Sequence, residues 1–132
     1  MRSIVVGASP KATKALGLDP DEVAHRLSGL FDYIHIFVTD QKKLDTSFPK
    51  MKRHLRESGM LWVSWPKGGA LETDLNLKKV IAIGYSHNLV ESKTISVDAT
   101  WSAIKFTFPK AGKQYQNSYG QLGTKAHDIP AE

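Results

Sequence analysis

The chain has 132 residues, 41% of them hydrophobic and 23% charged, with no cysteine and a formal net charge of +5. That length suits one domain with a real core, and the composition excludes a wholly disordered chain. Without cysteine there is no disulfide framework, no thiolate nucleophile and no cysteine-ligated zinc site.

In chain order, Ile4-Val5-Val6 is a β-branched run that stops at Gly7-Ala8-Ser9-Pro10. This reads as a strand and a turn, with Ser9 as N-cap and Pro10 as the first helical residue. The helix runs through Ala12, Ala15 and Leu16 to Gly17. Asp19-Pro20 opens a second short helix carrying Val23, Ala24 and Leu27 and closed by Gly29. Tyr33 to Val38 is apolar at every position but His35, as a strand buried on both faces of a parallel sheet must be. Leu44, Phe48, Met51 and Leu55 step by four, three and four residues, which places them on one helical face. Proline costs least in a first turn, so Pro49 divides this helix into a piece up to Thr46 and a second from near Ser47, ended by Gly59.

Met60 to Trp65 is the next strand, and the loop from Pro66 to Thr73 is rich in glycine. A third helix starts near Asp74, with Leu77, Val80, Ile81 and Gly84 on its buried face and Asn88 as a left-handed terminator. Lys93 to Asp98 and Ser102 to Phe108 alternate as a hairpin joined by Ala99-Thr100-Trp101. The aliphatic periodicity then ends. Residues 111–132 read as a polar, flexible tail on a single domain that spans 1–110.

No apolar run approaches the ~20 residues of a membrane helix. The N-terminal residues lack the apolar region of a secretory signal, so a cytoplasmic location is expected. The positive charge favours anionic partners, an anionic small molecule or an acidic protein surface. Lys42, Lys43, Lys50, Lys52, Arg53 and Arg56 give the helix from Gln41 a basic face, but no aromatic residues are interleaved to stack bases. Nucleic acid is therefore not expected as a specific partner.

Ligands of open α/β sheets gather at the carboxyl ends of the strands. That rule points to Thr39, Asp40, Trp65 and Lys67, and the hairpin turn adds Asp98 and Trp101 as a surface for a planar or anionic ligand, with Asp98 paired to Lys67. The competing reading is structural: the tryptophans cover the sheet edge and Asp98 caps its turn. His35 interrupts the central strand and reads as a buried, hydrogen-bonded imidazole. His25, His54, His87 and His127 have no metal spacing together, so no metal site and no catalytic residue is assigned.

The segments Phe31-Asp32-x-Ile34-His35-x-Phe37-Val38-Thr39, Gly59-Met60-Leu61-Trp62-Val63-Ser64-Trp65-Pro66-Lys67 and Asp98-Ala99-Thr100-Trp101-Ser102 resemble a bacterial family of small methyltransferase-fold domains that carry no assigned reaction. The order of strand, helix, strand, helix and hairpin over residues 31–108 likewise resembles the second half of the methyltransferase version of the Rossmann fold. The resemblance implies architecture rather than activity. An S-adenosylmethionine site of that kind needs a glycine-rich loop after the first strand and a carboxylate on the second to hold the ribose hydroxyls. Here Gly7 stands alone, and no second strand with an acidic end is evident.

The expected fold is thus a small α/β, Rossmann-like and methyltransferase-like sheet, with parallel strands near Ile4, Tyr33 and Leu61, a C-terminal antiparallel hairpin, and helices on both faces. The expected function is that of a non-catalytic or cryptic domain that binds a small ligand or partner at the strand-end surface, without a cofactor. An S-adenosylmethionine-dependent methyltransferase and an electrostatic nucleic-acid binder are the alternatives.

Overall fold

Strands β1 (Ser3–Val6), β2 (Val23–Ala24), β3 (Phe31–Phe37), β4 (Leu55–Pro66), β5 (Val90–Ser96) and β6 (Trp101–Thr107) form one sheet. The computed structural model describes residues 1–110, 115–117 and 120–122. The order is β2-β1-β3-β4-β6-β5. The first four strands are parallel neighbours, and β6 lies antiparallel between β4 and β5. Tyr115–Asn117 (β7) and Gly120–Leu122 (β8) pair in a separate two-stranded ladder. The rest of the expected tail lies outside the described residues.

Each helix starts where a short polar side chain can take up free backbone N–H groups. Ser9 accepts from the Ala12 amide before α1 (Pro10–Ala15), Asp40 from Lys43 before α2 (Gln41–Arg53), and Asn76 from Lys79 before α3 (Leu77–Ser86). Gly17 and Asn88 follow α1 and α3 in left-handed conformation, as the sequence requires.

Period-two alternation sends two different sets of side chains to the two faces. Ile34, Ile36, Leu61, Val63, Trp65, Ile104 and Phe106 meet Leu44, Phe48 and Met51 of α2 and Val80, Ile81 and Tyr85 of α3 in the main core. Gly84 lets α3 lie on β6, because a Cβ there would run into the Phe106 ring. The intervening residues, Tyr33, His35 and Phe37 on β3, Trp62 and Ser64 on β4 and Ala103 on β6, face the other way. Buried Ala12 of α1 also lies outside the main cluster.

Three expectations are corrected. The α2 helix is continuous through Pro49, because burial of Phe48 and Met51 on either side outweighs the one backbone hydrogen bond that proline forfeits. The helix ends at Arg53, and β4 begins at Leu55 rather than Met60. Its pairing with β3 shifts between Phe31 and Tyr33, so residues 56–59 bulge and Gly59 belongs to the strand. The second short helix is only a 3-10 turn, Pro20–Glu22, and Val23–Ala24 instead pairs parallel to β1. A fragment of the second strand therefore exists.

Candidate functional site

Parallel strands β1, β2, β3 and β4 end on one side of the sheet, and the turn between β5 and β6 returns to it. The first strand leaves its end through Gly7 at φ +82°, where a Cβ would stand 2.7 Å from the Phe37 carbonyl oxygen. Only a bare backbone passes so close to the end of β3. This is a tight chain crossing at the switch between the β1 and β3 halves of the sheet, where ligands of open α/β folds lie.

A cleft of about 540 Å³ opens beside this crossing and follows the outer edge of β1. Ile4, Val5, Val6, Val23, Ala24, Leu27 and Met51 give it apolar walls, while Gly7, Thr13, His25 and Lys50 complete the lining. The volume lies within the ~300–1,000 Å³ of small-molecule sites. The cleft is there because β2 contributes only two residues and leaves the β1 edge largely uncovered.

The residues singled out from the sequence divide between the two faces. Trp65 turns inward and is buried in the main core. Trp101 is half-buried on the other face, its ring edge-on to Phe37 at 5.0 Å. Lys67 closes the hairpin: its Nζ donates to the Asp98 carbonyl at 2.6 Å and to the Ser96 hydroxyl at 2.5 Å, and its backbone N–H donates to the Thr100 carbonyl. Lys67 therefore bonds Asp98 through the backbone of that residue. The Asp98 carboxylate accepts from the amides of Thr100 and Trp101, both at 2.8 Å. Those two bonds hold its pKa below the usual carboxylate range, and the charges of Lys11 and Lys67 add to the effect. Thr39 and Asp40 are exposed at the end of β3. The Thr39 carbonyl accepts from the Thr73 hydroxyl, and Asp40 caps α2.

His35 lies at the centre of the second face. Its Nδ1 is 2.7 Å from the Tyr33 hydroxyl and its Nε2 is 2.6 Å from Ser64 Oγ, and its ring stacks on Phe37 at 4.8 Å and on Trp62 at 6.1 Å. Burial pushes the imidazole down to about 3 and the Tyr33 phenol up to about 12, so both are neutral at physiological pH. The group is a polar thread whose hydrogen bonds are satisfied, with His35 and Ser64 fully buried. Among the described residues no cluster of three or more histidines and acids could hold a metal ion, and no helix is long and apolar enough to cross a membrane.

From the sequence, His25 reads as a lone histidine, Lys50 as part of a basic helix face and Thr13 as an ordinary helix residue, and a helix over Val23 and Leu27 hides the strand that brings them to one cleft. The available signal was the β-branched Val23 followed by Ala24 next to the acidic turn Asp21-Glu22, too short to mark a strand by periodicity.

No family model matches the sequence, and no curated protein matches it. Solved structures do share the fold. A ribosomal protein L11 methylase from Lactobacillus delbrueckii subsp. bulgaricus superposes with a TM-score of 0.56 at 12% identity, over 81% of this chain and 69% of that one. The N-methyltransferase NodS from Bradyrhizobium japonicum gives 0.54 at 13%, over 83% and 86%. A fibrillarin pre-rRNA processing protein from Methanococcus jannaschii gives 0.55 at 9%, over 81% and 66%. The architecture is a methyltransferase-like Rossmann fold. The likeness speaks against the expected non-catalytic or cryptic binding domain, and at this identity it shows the fold alone.

Proposed function

We propose that this chain is an S-adenosylmethionine-dependent methyltransferase domain whose cofactor lies at the carboxyl ends of β1, β2 and β3. The observation that carries the reading is the sheet, parallel through β4 with β6 reversed beside it, with an open cleft at the Gly7 crossing. Its likeness to methyltransferase structures supports the same conclusion. The Leu61-to-Lys67 and Asp98-to-Ser102 motifs resemble those of a bacterial family of methyltransferase-fold domains that carry no assigned reaction.

The residues present meet part of what the cofactor needs. Gly7 offers exposed backbone, and Val5, Val6, Ala24 and Leu27 offer apolar surface for an adenine ring. Thr39, Asp40, Lys67 and Trp101 border the same strand-end side, where an acceptor could approach. The ribose hydroxyls need a carboxylate at the end of β2, and His25 stands there instead. S-adenosylmethionine, when bound, supplies an electrophilic methyl group, and the ribose end of this cleft is not complementary to it.

Titration calorimetry with S-adenosylmethionine and S-adenosylhomocysteine tests the proposal. Saturable binding with one site per chain is expected. Neither heat nor a rise in melting temperature with either compound at millimolar concentration would sink it.

A further inference from the structure

The connection from β4 to α3 carries backbone strain and an exposed apolar side chain at the same place. Residues 68, 69, 71 and 72 all have positive φ, and Leu71 and Glu72, each at +56°, are not glycine. A bulky L-residue is rarely left-handed, and such conformations persist only where the surroundings impose them. The ties lie at the two ends of the segment. Lys67 is bound to the β5–β6 turn, through its backbone N–H to the Thr100 carbonyl and through its Nζ to the Ser96 hydroxyl and the Asp98 carbonyl. Thr73 is bound to the end of β3, its hydroxyl donating to the Thr39 carbonyl at 2.5 Å, and its backbone N–H donates to the Ala70 carbonyl. Between the ties the chain arches through open space. A Cβ at Gly68 or Gly69 would meet no atom within 4 Å, and Leu71 is 60% exposed. Among the described residues only Met1 is a more exposed large apolar side chain.

The arch stands over the carboxyl end of β4, next to β3 and two strands from β1, a separation of about 10 Å. With its ends fixed, a segment of this length can swing its tip through about 8 Å. We infer that residues 68–72 are a lid over the strand ends, and that Leu71 is the side chain the lid lays on a compound bound there. The inference rests on the methyltransferase reading and adds a moving part to it. In the open form seen here Leu71 is both left-handed and exposed; closing releases the first and buries the second. A ligand shifts two states only by interacting differently with them, and contact with Leu71 in the closed state alone is such a difference. The contact is apolar, so it falls on the sulfur and methylene part of the cofactor rather than on its ammonium.

The chain has no cysteine, so a nitroxide on Glu72→Cys reports this segment alone. Its electron paramagnetic resonance spectrum should hold a mobile component that saturating S-adenosylhomocysteine converts to a slow one. Leu71→Ser should weaken S-adenosylhomocysteine about tenfold in calorimetry, the loss expected when one leucine contact is removed, and Leu71→Met should keep the affinity. Leu71→Gly tests the strain separately: glycine is left-handed without cost, so the melting temperature of the unliganded chain should stay the same or rise. If S-adenosylhomocysteine binds one per chain while the label and the Leu71→Ser affinity are unchanged, the lid is wrong and the methyltransferase reading stands. A fall of more than about 3 °C in the unliganded Leu71→Gly or Leu71→Ser chain would make Leu71 a packing residue and overturn the lid as well. If S-adenosylhomocysteine gives neither heat nor a rise in melting temperature, the methyltransferase reading falls and takes the lid with it.

Discussion

The imidazole Nε2 of His35 and the hydroxyl of Ser64 are 2.6 Å apart across the β3–β4 pair, and neither residue has any exposed surface. Ser64 is the second partner that the neutral ring needs, the Tyr33 hydroxyl being the first. Removing one partner of a buried pair strands the other, which costs more than the bond contributes. Ser64→Ala should therefore destabilise the fold by about 1 to 3 kcal/mol in urea titration. His35→Leu in the Ser64→Ala background should recover part of that loss, because the stranded nitrogen is gone. Strict additivity of the two substitutions would show that the pair is not coupled.

The same burial makes stability depend on acid. The folded-state pKa of His35, about 3, lies below the ordinary imidazole value of about 6.5, so between the two the unfolded chain binds more protons than the folded one. The stabilisation is complete above about pH 6.5 and is lost as pH falls toward about 3. Over that window it amounts to something on the order of 3 to 5 kcal/mol. Urea midpoints measured from pH 7 to pH 4 should fall steadily in the native chain. In a His35→Gln variant they should start lower and fall less, and equal slopes in the two proteins would assign the acid sensitivity elsewhere.

Gly84 on α3 has no room for a side chain, since the Phe106 ring occupies the space. Gly84→Ala gains helix propensity but overpacks the contact, and the overpacking should win by about 1 to 3 kcal/mol. Phe106→Leu on its own opens a cavity; combined with Gly84→Ala it should cost less than the sum of the two changes. If Gly84→Ala leaves the denaturation midpoint unchanged or raises it, α3 sits farther from β6 than the structure has it.

Much of this architecture could be read from the residues because the elements that carry it bury a periodic face. Ile34, Ile36 and Val38 announce a central strand, Val80 and Ile81 a helix, and Ile104 and Phe106 an alternating strand. The failures come where tertiary burial overrules local preference. Pro49 is a breaker by propensity, yet Phe48 and Met51 hold α2 together around it. Residues 56–58 are exposed and polar, and nothing in their pattern marks a strand that bulges. The strand-end site was legible as a side of the sheet but not as a cavity. Trp65 and Trp101 are both at strand ends, and their pairing with Ser102 and Pro66 sends them to opposite faces. The cleft itself depends on how little of β2 forms, which a two-residue strand cannot signal in advance.

Asp40 offers the cleanest separation of a structural role from a functional one at the strand-end side. Its Oδ1 accepts from the Lys43 amide at 2.6 Å and caps α2, a role that asparagine performs about as well and alanine does not. Asp40→Ala should therefore cost about 1 kcal/mol of stability, while Asp40→Asn should cost little. The two substitutions share a different consequence if the carboxylate also faces the cofactor, whose ammonium and sulfonium need a nearby negative charge: both should weaken S-adenosylmethionine binding, by about tenfold. Paired measurement of urea midpoint and calorimetric affinity separates the roles. An Asp40→Asn chain that binds the compound as tightly as the native one would leave Asp40 as a helix cap and nothing more, and would move the cofactor's charged end away from β3 toward the Gly7 side of the cleft.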